Sequence, residues 1–102
     1  MIYVFASLEL DPGKRADFLI EFGKIAAQVR AESGCIEYVA TLDAATGLAS
    51  QHNTGPDRVT IMEKWESTDA LRTHDQAPHM LAFRLRVKDL VRGREIRMLT
   101  PA

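Results

Sequence analysis

V-T-I-M-E-K-W-E-S-T-D-A-L-R-T-H-D-Q-A-P-H-M, from Val59 to Met80, decides how this chain folds. Val59, Ile61, Glu63 and Trp65 alternate with Thr60, Met62, Lys64 and Glu66, the two-residue period of a strand from about Arg58 to Glu66. Ser67 follows directly, and its hydroxyl suits the cap of a short helix running to about Asp75. Pro78 lacks a backbone N–H and has a pre-set φ, so it opens a second helix. The segment therefore reads strand, helix, restart, helix, and it brings the Trp65 indole and the His74 imidazole to one strand–helix junction.

Working outward, residues 2–10 also alternate: Ile2, Val4, Ala6, Leu8 and Leu10 on one face, Tyr3, Phe5, Ser7 and Glu9 on the other. The second face is mixed rather than polar, so part of it is expected to be covered. Asp11-Pro12 is read as the start of a helix whose apolar stripe is Phe18, Phe22, Ile25 and Val29, widened by Leu19 and Ala26, and Gly34 ends it. A strand from Cys35 to about Leu42 places Ile36, Tyr38, Ala40 and Leu42 on one face. Residues 44–57 are small and polar and read as a long hairpin connection, an insertion tolerated at low cost. After Pro78, Met80, Phe83, Val87 and Leu90 form a stripe, Gly93 ends that helix, and Glu95 to Thr100 is the last strand.

The order β-α-β-β-α-β predicts an α+β, ferredoxin-like sandwich over residues 1–102, a single domain. Its antiparallel sheet carries helices on one face. A domain of 102 residues buries only roughly 60–70% of its unfolded surface, so a second copy is the expected cover for the other face.

Bulk properties narrow the function. The chain is 46% hydrophobic and 26% charged, ordinary for a globular domain. A net charge of -1 gives no electrostatic case for nucleic acid or a membrane surface. No apolar run reaches a membrane span, and Met1-Ile2-Tyr3-Val4-Phe5 reads as a strand rather than a signal peptide. Cys35 is the only cysteine, which rules out an intrachain disulfide and suits a reducing cytoplasm.

The residue chemistry centres on His74. An imidazole accepts a phenolic proton near neutral pH, giving an electron-rich phenolate. Spacing alone favours a helix-end histidine bonded to the last carbonyls over a catalytic one. Trp65 is a core tryptophan that also suits stacking on a flat ring. Tyr38 offers a hydrogen bond to a substrate oxygen, His79 lies in a first helical turn where it can orient substrate, and Met80 and Phe83 are core residues that line any cavity. Glu63 shares the Trp65 face and needs a partner, for which an arginine of the last strand or of a second subunit is expected. Arg84, Lys88 and Arg92 read as a solvated helix face. His74 and His79 lie five apart across a proline with no third ligand signalled, so no metal site is expected.

Asp11 to Lys14 (D-P-G-K), Glu32 to Tyr38 (E-S-G-C-I-E-Y), Glu63 to His74 (E-K-W-E-S-T-D-A-L-R-T-H), Ala77 to Met80 (A-P-H-M) and Phe83 together resemble the antibiotic biosynthesis monooxygenase family, which includes bacterial quinol monooxygenases. The resemblance spans nearly the whole chain. It implies a dimeric α/β barrel, a homodimer with a pocket between sheet and helices in each subunit. It further implies oxidation of a small phenol, hydroquinone or polycyclic aromatic by O2 with no bound cofactor. In that reading His74 is catalytic, and Trp65, Tyr38, His79, Met80 and Phe83 bind substrate. Two alternatives come from other classes: an isomerase or lyase acting on a small oxygenated metabolite, and a non-catalytic dimeric ligand-binding module. Haem degradation ranks last, because Ala6 stands where the haem-degrading branch has an asparagine.

Overall fold

The computed structural model describes residues 1–102. Its elements are β1 (Ile2–Leu10), α1 (Arg15–Arg30), β2 (Cys35–Thr41), β3 (Arg58–Trp65), α2 (Thr68–Asp75), α3 (Pro78–Val87) and β4 (Val91–Leu99). The strands form one sheet in the order β2-β3-β1-β4, antiparallel throughout. This is the ferredoxin-like sandwich that the element order predicts, with the second helical region split into α2 and α3.

The alternation fixes which face is buried. Val4, Ala6, Leu8 and Leu10 of β1 and Val59, Ile61 and Trp65 of β3 point into the core with Tyr38 of β2. There they meet Phe18, Phe22, Ile25 and Val29 of α1 and Met80, Phe83 and Val87 of α3. Phe18 and Phe83 join the two helices edge to face, with ring centroids 5.9 Å apart. The opposite sheet face carries Tyr3, Phe5, Val39 and Met62, all partly buried within the single chain, and Lys64 Nζ lies 5.3 Å from the Tyr3 ring centre.

Four boundaries differ from the sequence reading. Helix α1 begins at Arg15, not at Asp11-Pro12. Residues 11–14 instead form a turn closed by Lys14 N–H on the Asp11 carbonyl, with Gly13 at φ +76° donating its N–H to Asp57 Oδ1 at 3.0 Å. Helix α3 ends at Val87 rather than near Gly93, and Leu90 falls in the following turn. Strand β4 then starts at Val91, because pairing with β1 continues through Leu10↔Val91 and Glu9↔Gly93. Strand β2 stops at Thr41, and a register break between Cys35 and Glu37 leaves Ile36 48% exposed.

The turn after α1 is fixed by Gly34 at φ +83°, and the Gly34 carbonyl accepts the Glu66 N–H at 2.8 Å. A Cβ at Gly34 would stand 2.5 Å from the Ala70 Cβ on α2. This contact docks the α1–β2 turn onto the β3–α2 junction. Gly34→Ala should therefore cost about 2 kcal/mol or more, combining left-handed backbone with a steric clash. Gly23, mid-helix in open space, should gain roughly 0.5–1 kcal/mol as Gly23→Ala. Urea denaturation of the two variants checks the opposite signs.

Candidate active site

Ser67 caps α2 as its position predicts, accepting the Ala70 N–H at 3.1 Å, and so fixes where His74 emerges in the last turn. His74 is 4% exposed, the only buried polar or charged residue. Its ring is enclosed by aromatics: Trp65 lies 4.5 Å away tilted by 37°, and Tyr38 lies 5.6 Å away edge-on. Tyr38 in turn stacks on Phe22 at 5.1 Å.

The polar contacts of His74 come from two glutamates. His74 Nδ1 lies 2.9 Å from Glu32 Oε2, and the same oxygen lies 3.0 Å from His79 Nε2. A carboxylate only accepts, so both ring nitrogens carry hydrogen, and a neutral His74 is left with a bare Nε2. That nitrogen faces Glu63 Oε1 at 3.8 Å. Glu63 Oε1 also accepts the Trp65 indole N–H at 2.9 Å. The partner of Glu63 is thus the Trp65 indole N–H and not the expected arginine. Burial pushes the Glu63 carboxyl above its ordinary value, against the lowering effect of the Trp65 hydrogen bond and of His74.

A cavity of about 820 Å³ opens between the sheet and α3. His74, Glu63, Tyr38, Met80 and Phe83 all line it. Burial, with Glu63 and Glu32 nearby, pushes the Tyr38 phenol far up, so it stays a neutral O–H donor. Trp65 and His79 do not line the cavity. Both were expected to touch substrate. Trp65 is fully buried because its indole fills the core beneath His74 and anchors Glu63, while His79 is turned away onto Glu32. Arg84 and Lys88, read as a solvated face, belong to the cavity wall with Arg92 and Arg94 of β4.

The sequence reading did not single out Glu32, which holds both histidines. Its only trace is its place in E-S-G-C-I-E-Y, just ahead of the Gly34 turn that swings it toward α2. The loop of residues 42–57 is organised by Asp43, which accepts from the N–H groups of Thr54 and Gly55 and the Thr54 hydroxyl. It stands apart from the His74 cavity.

The sequence profile described as antibiotic biosynthesis monooxygenase matches residues 1–86. The chain belongs to the antibiotic biosynthesis monooxygenase family. Within that family it is 38% identical over 103 residues to the probable quinol monooxygenase YgiN of Escherichia coli, covering 99% of this chain and 98% of that protein. Among solved structures, PA3566 from Pseudomonas aeruginosa superposes with a TM-score of 0.81 at 23% identity, covering 99% of this chain and 93% of the other. Rv0793 from Mycobacterium tuberculosis gives 0.81 at 24% identity, covering 99% and 94%. These two likenesses establish the shared fold. The family assignment supports a monooxygenase-like oxidoreductase.

Two outcomes test the site's construction. Because Glu63 holds its proton more tightly when folded, stability falls as pH rises from the unfolded value near 4.5 through the higher folded one. Glu63→Gln keeps an acceptor for Trp65 and removes the titration, so its melting temperature relative to wild type should climb between pH 4 and pH 7. A gap that stays flat or shrinks contradicts the burial argument. Trp65→Phe keeps a ring but strips the Glu63 bond, and should cost about 1–3 kcal/mol in denaturant titration.

Proposed function

We propose that this protein is a monooxygenase that oxidises a small phenolic, hydroquinone or polycyclic aromatic substrate with O2, with His74 as the base. The observation that carries this reading is a buried histidine on the wall of a largely apolar cavity, its Nδ1 held by Glu32 and its Nε2 beside Glu63. A substrate ring enters between Met80 and Phe83, where the apolar wall favours a flat carbon skeleton. Tyr38 donates a hydrogen bond to a substrate oxygen. Trp65 and His79 act as positioning residues, one holding Glu63 and the other sharing Glu32.

His74 Nε2 takes the phenolic proton. The imidazolium that forms lies between Glu32 and Glu63, which stabilise its charge. The phenolate passes one electron to O2, and the radical pair combines at an ortho or para ring carbon that bears hydrogen, giving a hydroperoxide. Loss of water from it leaves a quinone, so phenol plus O2 gives quinone plus H2O. One oxygen atom enters the product, and the substrate supplies both reducing electrons. The protein residues end the cycle unchanged.

The second copy expected on the sheet face of Tyr3, Phe5, Val39 and Met62 completes the reading as a homodimer. Light scattering should give twice the chain mass, and Phe5→Glu should return a monomer.

Oxygen uptake with naphthohydroquinones and anthrones tests the chemistry. His74→Ala should lower the rate by about 10²-fold or more, and Glu32→Gln should lower it less while shifting the pH profile. Equal rates for wild type and His74→Ala would remove His74 from the reaction. Substrate conversion that persists without oxygen would replace oxidation by proton-transfer isomerisation.

A further inference from the structure

The cavity wall is not uniformly apolar. Its inner part carries His74, Glu63, Tyr38 and Phe83, while Lys88, which follows α3, and Arg92 and Arg94, which open β4, contribute three cations. All three are exposed side chains.

Their pairing sets them apart from the other basic residues near them. Arg84 is bound by Asp75, through its carbonyl at 2.8 Å and its carboxylate at 2.7 Å. Arg86 is bound by Glu21 at 3.0 Å. Lys88, Arg92 and Arg94 make neither a salt bridge nor a side-chain hydrogen bond. The acidic neighbours in sequence, Asp89 and Glu95, do not line the cavity. The two carboxylates that do line it are engaged: Asp75 with Arg84, and Glu63 with the Trp65 indole N–H.

A chain of net charge -1 thus presents three unpaired cations along one stretch of cavity wall. Such a cluster raises the local concentration of anions at the mouth of the cavity. Leu81, Leu85, Ile96 and Met98 add apolar surface to the same cavity, so the anion must be carried by a hydrophobic skeleton. Lys88 lies about 12 Å along the helix axis from Met80, which leaves room for a polycyclic acid between them.

We infer that the ligand of this cavity is an aromatic acid: a flat carbon skeleton reaching His74, with a carboxylate, sulfonate or phosphate held by Lys88, Arg92 and Arg94. This deepens the aromatic-substrate reading above and rests on it. The three cations select the ligand and hold it end-on, without entering the proton transfer.

A matched pair of probes separates charge from shape. 8-Anilinonaphthalene-1-sulfonate and N-phenyl-1-naphthylamine share a skeleton and differ by the sulfonate. Entry into the cavity is read from the NMR shift of the His74 ring, and affinity from probe fluorescence. The sulfonate should bind about tenfold more tightly at low salt, with the preference shrinking as salt rises. The triple variant Lys88→Gln, Arg92→Gln, Arg94→Gln should lose that preference while binding the neutral probe as before. Arg97→Gln, which removes a cation outside the cavity, should keep it. Equal affinity of wild type for the two probes, or a preference surviving the triple variant, overturns the inference. Failure of both probes to move the His74 signal would sink the aromatic cavity itself. An inactive protein that still prefers the sulfonate would sink only the oxidation chemistry. Competition by 1-naphthoate and by 1-naphthyl phosphate then names the anion, and displacement by neither counts against the inference.

Discussion

One carboxylate oxygen organises the functional half of this molecule. Glu32 Oε2 accepts from His74 at 2.9 Å and from His79 at 3.0 Å, so a residue between α1 and β2 ties down side chains from both α2 and α3. The bond also decides which His74 nitrogen is bare. Without it the imidazole would have two tautomers to choose from, and the cavity would meet a base in only one of them. The tie reaches across because Gly34 permits the close approach of its turn to Ala70, and because the Gly34 carbonyl accepts the Glu66 N–H.

Behind His74 the polar chain continues through Glu63 to Trp65. A carboxyl group with only 9% of its side chain exposed would be costly if unpartnered, and the indole N–H offsets part of that cost. Trp65 therefore packs and hydrogen-bonds at once: its rings fill the core under α2, and its N–H holds Glu63 beside His74. The rest of the cavity is built from residues already needed for the core. Met80 and Phe83 face inward from α3 because the helical stripe requires it, and the space left between them and the sheet is the cavity.

The fold was largely legible in the sequence, because two-residue alternation and helical stripes report directly on a face buried in the core. Ser67 and Pro78 marked helix starts correctly, since each acts through its own backbone or side chain. Asp11-Pro12 misled because Gly13 takes a left-handed conformation and its N–H is claimed by Asp57, far away in sequence. Gly93 misled for a similar reason: pairing with β1 extends β4 through it. Of the residues singled out in the sequence, His74, Tyr38, Met80 and Phe83 line the cavity; for His74 the family resemblance, not spacing, favoured a site role. Glu32 was not singled out, because a glutamate ahead of a turn looks like any solvated charge until tertiary contacts give it two histidines. Arg84, Lys88 and Arg92 were read as one helix face, but Arg92 lies on β4, and only the docking of β4 beside α3 brings it and Arg94 to the same wall.

The central claim is that Glu32 holds neutral His74 as the Nδ1–H tautomer with Nε2 bare toward the cavity. Nitrogen-15 NMR of the His74 ring at neutral to mildly basic pH measures this directly. The account predicts a protonated-type Nδ1 and an unprotonated-type Nε2 shift in wild type, and a mixture of tautomers in Glu32→Gln. A His74 with its hydrogen on Nε2, or a tautomer indifferent to Glu32, would contradict it.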